Sequence, residues 1–223
     1  GWVFVMKKLL LHPMFMTGLA IRLALIFGMA PLAVTLWYVP FLNVSTSALT
    51  LDPWLTWIAS GGTPVSFPYG YAMWFAFLPL TLVAKITGLP LLYAYYLTIL
   101  VADFCLLLTL HWFLPNRQRL LLLVYWLSPI IILASYGLGL NDLIPSLLLV
   151  LSIGCVRRVE VKWAGVLLAT AISAKLSMLV AVPFFIIYLF NNRALRKRLP
   201  KFLFSFALSI LALGLPLLFS GVG

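Results

Sequence analysis

Apolar residues run along this chain in long stretches, and the polar residues gather in short gaps between them. A bilayer crossing needs about 20 consecutive apolar residues. Residues 17–39, 89–113, 120–138 and 202–219 meet or approach that length, and 72–86 and 143–156 form shorter apolar runs. The run 163–190 is too long for one ordinary span, and Lys175 and Pro183 interrupt it. A turn near Lys175 divides it into two short arms. Helices broken at depth are tolerated where protein or water surrounds them, often around a cavity. The pattern predicts an all-α, polytopic transmembrane helical bundle of about seven membrane segments, some short or broken. It forms one transmembrane domain over 1–223.

Basic residues orient such a bundle, because Lys and Arg are retained on the cytoplasmic side. Lys7 and Lys8 make 1–16 a cytoplasmic N-terminus, and 40–71 then becomes the first external loop. If 72–86 lies along the outer leaflet or re-enters, Arg117, Arg119, Arg157, Arg158 and Lys162 fall inside. The basic loop 191–201 falls inside as well. All but Arg22, Lys85 and Lys175 of the fifteen basic residues are then cytoplasmic. If 72–86 crosses fully, the Arg117 and Arg119 pair moves outside, so the juxtamembrane arrangement is favoured.

Composition agrees: the chain is 65% hydrophobic and 9% charged, against about 25% charged residues in soluble domains. The net charge of +11 is explained by orientation, so no nucleic-acid partner is implied. Cys105 and Cys155 lie in apolar runs and read as buried free thiols. His12 and His111 have too few carboxylates around them for a metal site, and no phosphate loop or Ser-His-Asp set is visible. The N-terminal lysines before an apolar run resemble a signal peptide, but 17–39 is long enough to be a retained first helix. Met6 fits a native start.

Asp52 is one of only four acidic residues, and it lies in an aromatic loop without lysine or arginine. A carboxylate in such surroundings is costly and marks a functional position. The topology sends Asp52, Asn141, Asp142 and Lys175 to the same outer face. Around them stand Trp54, Trp57, Phe67, Tyr69, Tyr71 and Trp74. Lys175 suits a phosphate, and the aromatic faces suit a sugar ring. Simpler roles stay open. Trp54, Trp57 and Trp74 also fit an interfacial aromatic belt. Asp52 before Pro53, and Asp142 before Leu143, also fit helix N-caps. Asn141 fits a helix end, and Lys175 a snorkelling cation. Arg22 and Asp103 fall inside apolar runs and are expected to form a structural ion pair. Asn43-Val44-Ser45 reads as a glycosylation sequon on an exposed loop.

Asp52 after the first helix, Gly62-Thr63-Pro64, Tyr69-Gly70-Tyr71, Asp103 and Trp126-Leu127-Ser128-Pro129 occur in series. Gly139-Leu140-Asn141-Asp142, Ala174-Lys175 and Pro183 follow in order. This series resembles the GT-C superfamily of membrane glycosyltransferases. It is most like the polyprenyl-phosphate-sugar-dependent enzymes of the glycosylphosphatidylinositol mannosyltransferase I type and their bacterial relatives. The resemblance implies that Asp52 is the catalytic base and that Lys175 serves the lipid-phosphate site. It implies a polyprenyl-phosphate sugar as donor and a lipid or glycan as acceptor, with membrane lipids around it. The active face would be periplasmic, extracellular or ER-lumenal. Some relatives carry Asp-x-Asp here and use a metal, whereas Asp52 is followed by Pro53 and Trp54, so no metal or other cofactor is expected. The chain resembles only the N-terminal half of such enzymes, as a truncated or half-length member would.

Two other functions compete. A lipid-linked sugar transporter or flippase would use interrupted helices and intramembrane charges, but it also needs a polar path across the bilayer. A non-catalytic subunit completing a second membrane chain would explain the short length.

Overall fold

The computed structural model describes residues 7–47 and 50–218, and every regular element among them is helical. Met6, Ala48, Leu49 and the end of the last expected span at Phe219 lie outside the described residues. Two helices, Leu91–Phe113 and Arg196–Pro216, are each long and apolar enough to cross a membrane. A bent pair, Gln118–Trp126 with Pro129–Gly137, makes a third when read as one broken span.

Helix α1 is Pro13–Gly28. His12 caps it through Nδ1, which accepts from Met14 N at 3.2 Å, and Pro13 sits where no N–H is needed. The expected continuous span 17–39 is divided: Met29 is extended, and helix resumes only beyond Pro31. Pro31 has no N–H to continue the ladder and pushes Ala30 away from helix. A π-turn at Val34–Tyr38 then runs into α2, Val39–Ser45. Helix α3 is Pro53–Ala59, and α4 is Tyr71–Thr87. The long α5 is Leu91–Phe113.

The stretch expected as one span over 120–138 is also broken. It comprises α6 (Gln118–Leu121), a π-turn Leu122–Trp126, α7 (Pro129–Ile132) and a π-turn Leu133–Gly137. Its halves meet at 47°. Pro129 offers no N–H to the carbonyl four residues before it, and the wide turn absorbs the mismatch, with Leu127 N donating to Leu122 O at 2.9 Å. Helix α8 is Leu143–Arg157, and α9 is Val161–Ala174. The chain turns at an extended Lys175, passes through a 3₁₀ segment Leu176–Ala181, and returns as α10, Val182–Asn191. Helix α11 is Leu199–Leu218.

Contacts define two ends of the bundle. At one, Phe27 of α1 lies against Tyr93 near the start of α5, and Tyr95 Oη donates to Gly139 O at 2.6 Å. At the other, Arg157 at the end of α8 and Arg158 just after it lie over Phe113 and Trp112 at the end of α5, 5.0 and 3.9 Å from the ring centroids. Lys7, Lys8, Arg117, Arg119, Lys162 and the basic stretch 193–201 join this second, basic end by chain continuity. Helix α4 lies wholly at the first end. Its start meets Ser173 at the end of α9, its middle stacks Phe77 on Tyr95 at 4.7 Å, and its last turn leads into α5. It therefore runs across the bundle rather than along it.

Mid-bundle, Arg22 Nε donates to Asp103 Oδ2 at 2.7 Å, with both side chains 0% exposed. Tyr125 and Tyr136 each donate to an Asp103 carboxylate oxygen at 2.7 Å. Arg22 Nη1 donates to Gly18 O at 3.0 Å and to Trp126 O at 2.7 Å, and the guanidinium lies 3.7 Å from the Trp126 ring centroid. The break before Pro129 is what leaves the Trp126 carbonyl free to accept. Replacing Asp103 with Leu leaves a buried, unpaired guanidinium, and such losses cost about 3–5 kcal/mol. Thermal melts in detergent should show a large fall for Asp103→Leu and partial recovery in Asp103→Leu combined with Arg22→Met.

Candidate functional site

Proline makes the first contribution. Pro53 starts α3, so the residue before it must cap the helix, and Asp52 Oδ1 accepts from Leu55 N at 2.9 Å. Thr50 and Thr56 donate their hydroxyls to the Asp52 carbonyl at 3.0 and 3.1 Å. Only 7% of Asp52 is exposed, and its second oxygen, Oδ2, has no hydrogen-bond partner. A buried polar atom left unpaired costs roughly 1–3 kcal/mol. The loop therefore holds one carboxylate oxygen rigidly and leaves the other free.

Gly139 makes the second contribution. Its φ is +73°, a left-handed conformation natural to glycine, and an added Cβ would stand 2.1 Å from Val34 Cγ2. This turn ends the broken span and aims Asn141 into the protein. Asn141 is 1% exposed, and neither its Oδ1 nor its Nδ2 has a partner. An amide carries both donors and acceptors, so Asn141 presents unmet capacity of both kinds. Asp142 precedes α8 but makes no side-chain cap. Its carboxylate bonds Lys175 instead, across the gap to the end of α9. That pair is partly open, with side chains 45% and 30% exposed respectively.

The aromatic loop joins these parts. Gly70 N donates to Ser173 O at 2.8 Å, and Ala72 N donates to Ser173 Oγ at 3.2 Å, two residues before Lys175. A Cβ on Gly70 would stand 2.3 Å from the Ser173 carbonyl oxygen, so the loop docks there by close backbone approach. Between those contacts, Tyr71 Oη donates to the carbonyl of Leu51, next to Asp52. Asp52 and Lys175 thus belong to one framework. Tyr38 and Tyr69 share a hydrogen bond between their hydroxyls at 3.2 Å on its flank.

Much of the aromatic content holds the loop in place. Trp54 Nε1 donates to Phe67 O at 3.0 Å, and its ring meets Tyr71 edge-on at 4.9 Å. Trp57 Nε1 donates to Thr63 O at 2.9 Å. Phe67 is buried and stacks on Phe41 at 4.3 Å. Trp74 is buried, with Nε1 donating to Ser45 Oγ at 3.1 Å. That contact revises the reading of Asn43-Val44-Ser45: the tripeptide is helical in α2, and its Ser45 hydroxyl is buried. Lys85, an exception to the charge pattern, donates to Asn43 O at 2.5 Å and Ser47 Oγ at 2.8 Å, closing the end of α2.

Ser173 and Tyr38 belong to this framework but carry no sequence signal beyond the nearness of Ser173 to Lys175 and of Tyr38 to Pro40. Among the described residues, no three of His, Cys, Asp and Glu stand together as metal ligands would. Cys105 and Cys155 are free and half-buried. The comparisons with known proteins return no matching family model, no matching curated protein and no matching solved structure.

Gly70→Val should detach the loop from Ser173. Limited proteolysis should then cut within 50–70 faster than in the wild type, while far-UV circular dichroism stays helical.

Proposed function

We propose that this chain is a membrane glycosyltransferase. It moves a hexose, of the mannose type, from a polyprenyl-phosphate donor to a lipid or glycan acceptor. The observation that carries the reading is the pair of unmet polar groups at one end of the bundle, Asp52 Oδ2 and the Asn141 amide; Arg22 Nη2, His111 Nδ1 and Gln118 Nε2 are also unpaired, but each stands alone elsewhere in the chain. Both are buried, so each forgoes hydrogen bonds that a bound polar ligand supplies. A sugar ring, rich in hydroxyls, has that chemistry.

Asp52 Oδ2 accepts the proton of the acceptor hydroxyl as it attacks the anomeric carbon. The bond from that carbon to the donor phosphate breaks, and the phosphate leaves with the electron pair. Direct displacement inverts the centre. Lys175, held by Asp142, offsets charge on the departing phosphate. Asn141 holds sugar hydroxyls, Tyr69 stands beside them on the flank, and Trp54 and Tyr71 brace the loop that carries Asp52. In this reading the helices form about seven membrane segments with α4 along the surface. The basic end is cytoplasmic under the positive-inside rule, and the site faces the periplasm, the cell exterior or the ER lumen.

Transport of a lipid-linked sugar is the rival reading. Against it, the mid-bundle charges Arg22 and Asp103 are paired with each other and 0% exposed, so they line no open path.

Asn is as good an N-cap as Asp. Asp52→Asn therefore keeps the bond from Leu55 N and removes only the base. Transfer of radiolabelled hexose from polyprenyl phosphate should fall by about 10²-fold or more, with the melting temperature unchanged. Wild-type turnover in that variant would overturn the mechanism. Asn141→Ala should raise the donor KM more than it lowers stability, since the amide makes no internal bond to lose.

A further inference from the structure

The basic end of the bundle has a chemistry of its own, independent of the site above. Arg157, Arg158, Lys162, Arg193, Arg196, Lys197, Arg198 and Lys201 gather there with a single acid, Glu160. The ion pairs among the described residues are Arg22 with Asp103 and Lys175 with Asp142, so none of these cations is in an ion pair. Some are engaged within the protein. Arg198 donates to Val159 O at 3.2 Å, and Arg196 lies over Phe190, 4.1 Å from the ring centroid. Lys162 and Lys201 make no such contact with protein and are exposed.

These two lysines flank a groove of about 690 Å³ between the first turns of α9 and α11. Trp163, Val166, Phe204 and Leu208 line it. Trp163, Phe204 and Leu208 are 61, 71 and 56% exposed. Charge lies at the helix starts, and the apolar bed continues along the helices away from it. Two similar grooves flank α8 at the same end. Arg158 borders one, with Leu108, Trp112 and Leu151, and Arg157 borders the other, with Phe184 and Tyr188.

We propose that the groove between α9 and α11 binds an anionic phospholipid. Lys162 and Lys201 hold its phosphate, and an acyl chain lies on Val166, Phe204 and Leu208. The excess of unpaired cations selects an anionic head group over a zwitterionic one. The apolar bed selects a lipid over a soluble anion, which would leave that surface in water. Trp163 sits where an indole favours the boundary between head group and chain. Glu160, the one acid of this end, is not among the residues that line the groove.

The test uses the full chain in a neutral detergent, with phosphatidylglycerol, phosphatidylcholine of the same chains, or chain-free glycerol phosphate added. Native mass spectrometry counts bound lipid, and melting reports stabilisation. Phosphatidylglycerol should bind and raise the melting temperature, while phosphatidylcholine and glycerol phosphate should do neither. Lys162→Gln with Lys201→Gln should weaken binding by about five-fold per lysine. Arg193→Gln with Lys197→Gln removes equal charge outside the groove and should leave binding near the wild-type value. Equal weakening in both double variants would replace the site with a diffuse field and overturn the proposal. So would equal binding of phosphatidylcholine, or effective competition by glycerol phosphate. Should the lysine variant misfold, Phe204→Asn spoils the apolar bed alone. It should weaken phosphatidylglycerol binding, and unchanged binding there would also overturn the proposal.

Discussion

An arginine and an aspartate removed from water govern this fold. Arg22 and Asp103 are 0% exposed and bonded at 2.7 Å. Desolvating two such charges costs several kcal/mol each, and the pair is sustained only when further hydrogen bonds meet the remaining capacity of both groups. Tyr125 and Tyr136 supply them to the carboxylate, and the carbonyls of Gly18 and Trp126 supply them to Nη1 of the guanidinium, while Nη2 is left to the face of the Trp126 ring and makes no hydrogen bond. These partners come from α1, α5 and the two halves of the broken span. The network therefore fixes three apolar elements that hydrophobic burial alone would leave free to slide, because apolar contact has no direction. The kink at Ser128-Pro129 is part of the same requirement, since an unbroken helix would have used the Trp126 carbonyl internally.

That register reaches the site. Tyr136 lies on the segment that ends at Gly139, and Gly139 sets the direction of Asn141 and Asp142. Tyr95, two turns before Asp103 on α5, holds the Gly139 carbonyl. The ion pair and the candidate site are thus separate chemistries on shared helices. Rigidity comes from the pair at mid-depth, where Arg22 Nη2 is left without a partner, and at the end of the bundle Asp52 Oδ2 and the Asn141 amide are without partners as well.

Helical class and most element boundaries are legible in the sequence because long apolar runs bounded by Pro, Gly and charge leave little choice. The turn at Lys175 and the helix from Tyr71 to Thr87 follow from run length and charge placement. The breaks at Met29 and Ser128 are harder, since Pro31 and Pro129 sit inside apolar runs and hydropathy is blind to a missing N–H. The candidate site is legible in the sequence only as a collection of residue types, and the hydrogen bonds that wire those residues together are not. Nothing in one dimension tells that Asp142 reaches Lys175 rather than capping α8, or that the indole of Trp54 bonds the Phe67 carbonyl. The expectation of an exposed loop at Asn43-Val44-Ser45 fails for the same reason: a tripeptide pattern does not tell that it lies in a helix with Asn43 exposed and Ser45 buried.

Among the described residues, three π-turns, at Val34–Tyr38, Leu122–Trp126 and Leu133–Gly137, each hold one residue more than an α-turn needs. A helix normally resists gain or loss of a residue, since each one rotates everything beyond it by about 100°. A π-turn is the place where that change is already absorbed. Losing one residue there restores an ordinary α-turn without breaking the helix, and only the facing of side chains downstream is altered. Such turns give a lineage a route for re-aiming polar groups inside an apolar bundle by changes in length rather than in residue type. Two of the three lie on the segment that leads to Asn141 and Asp142.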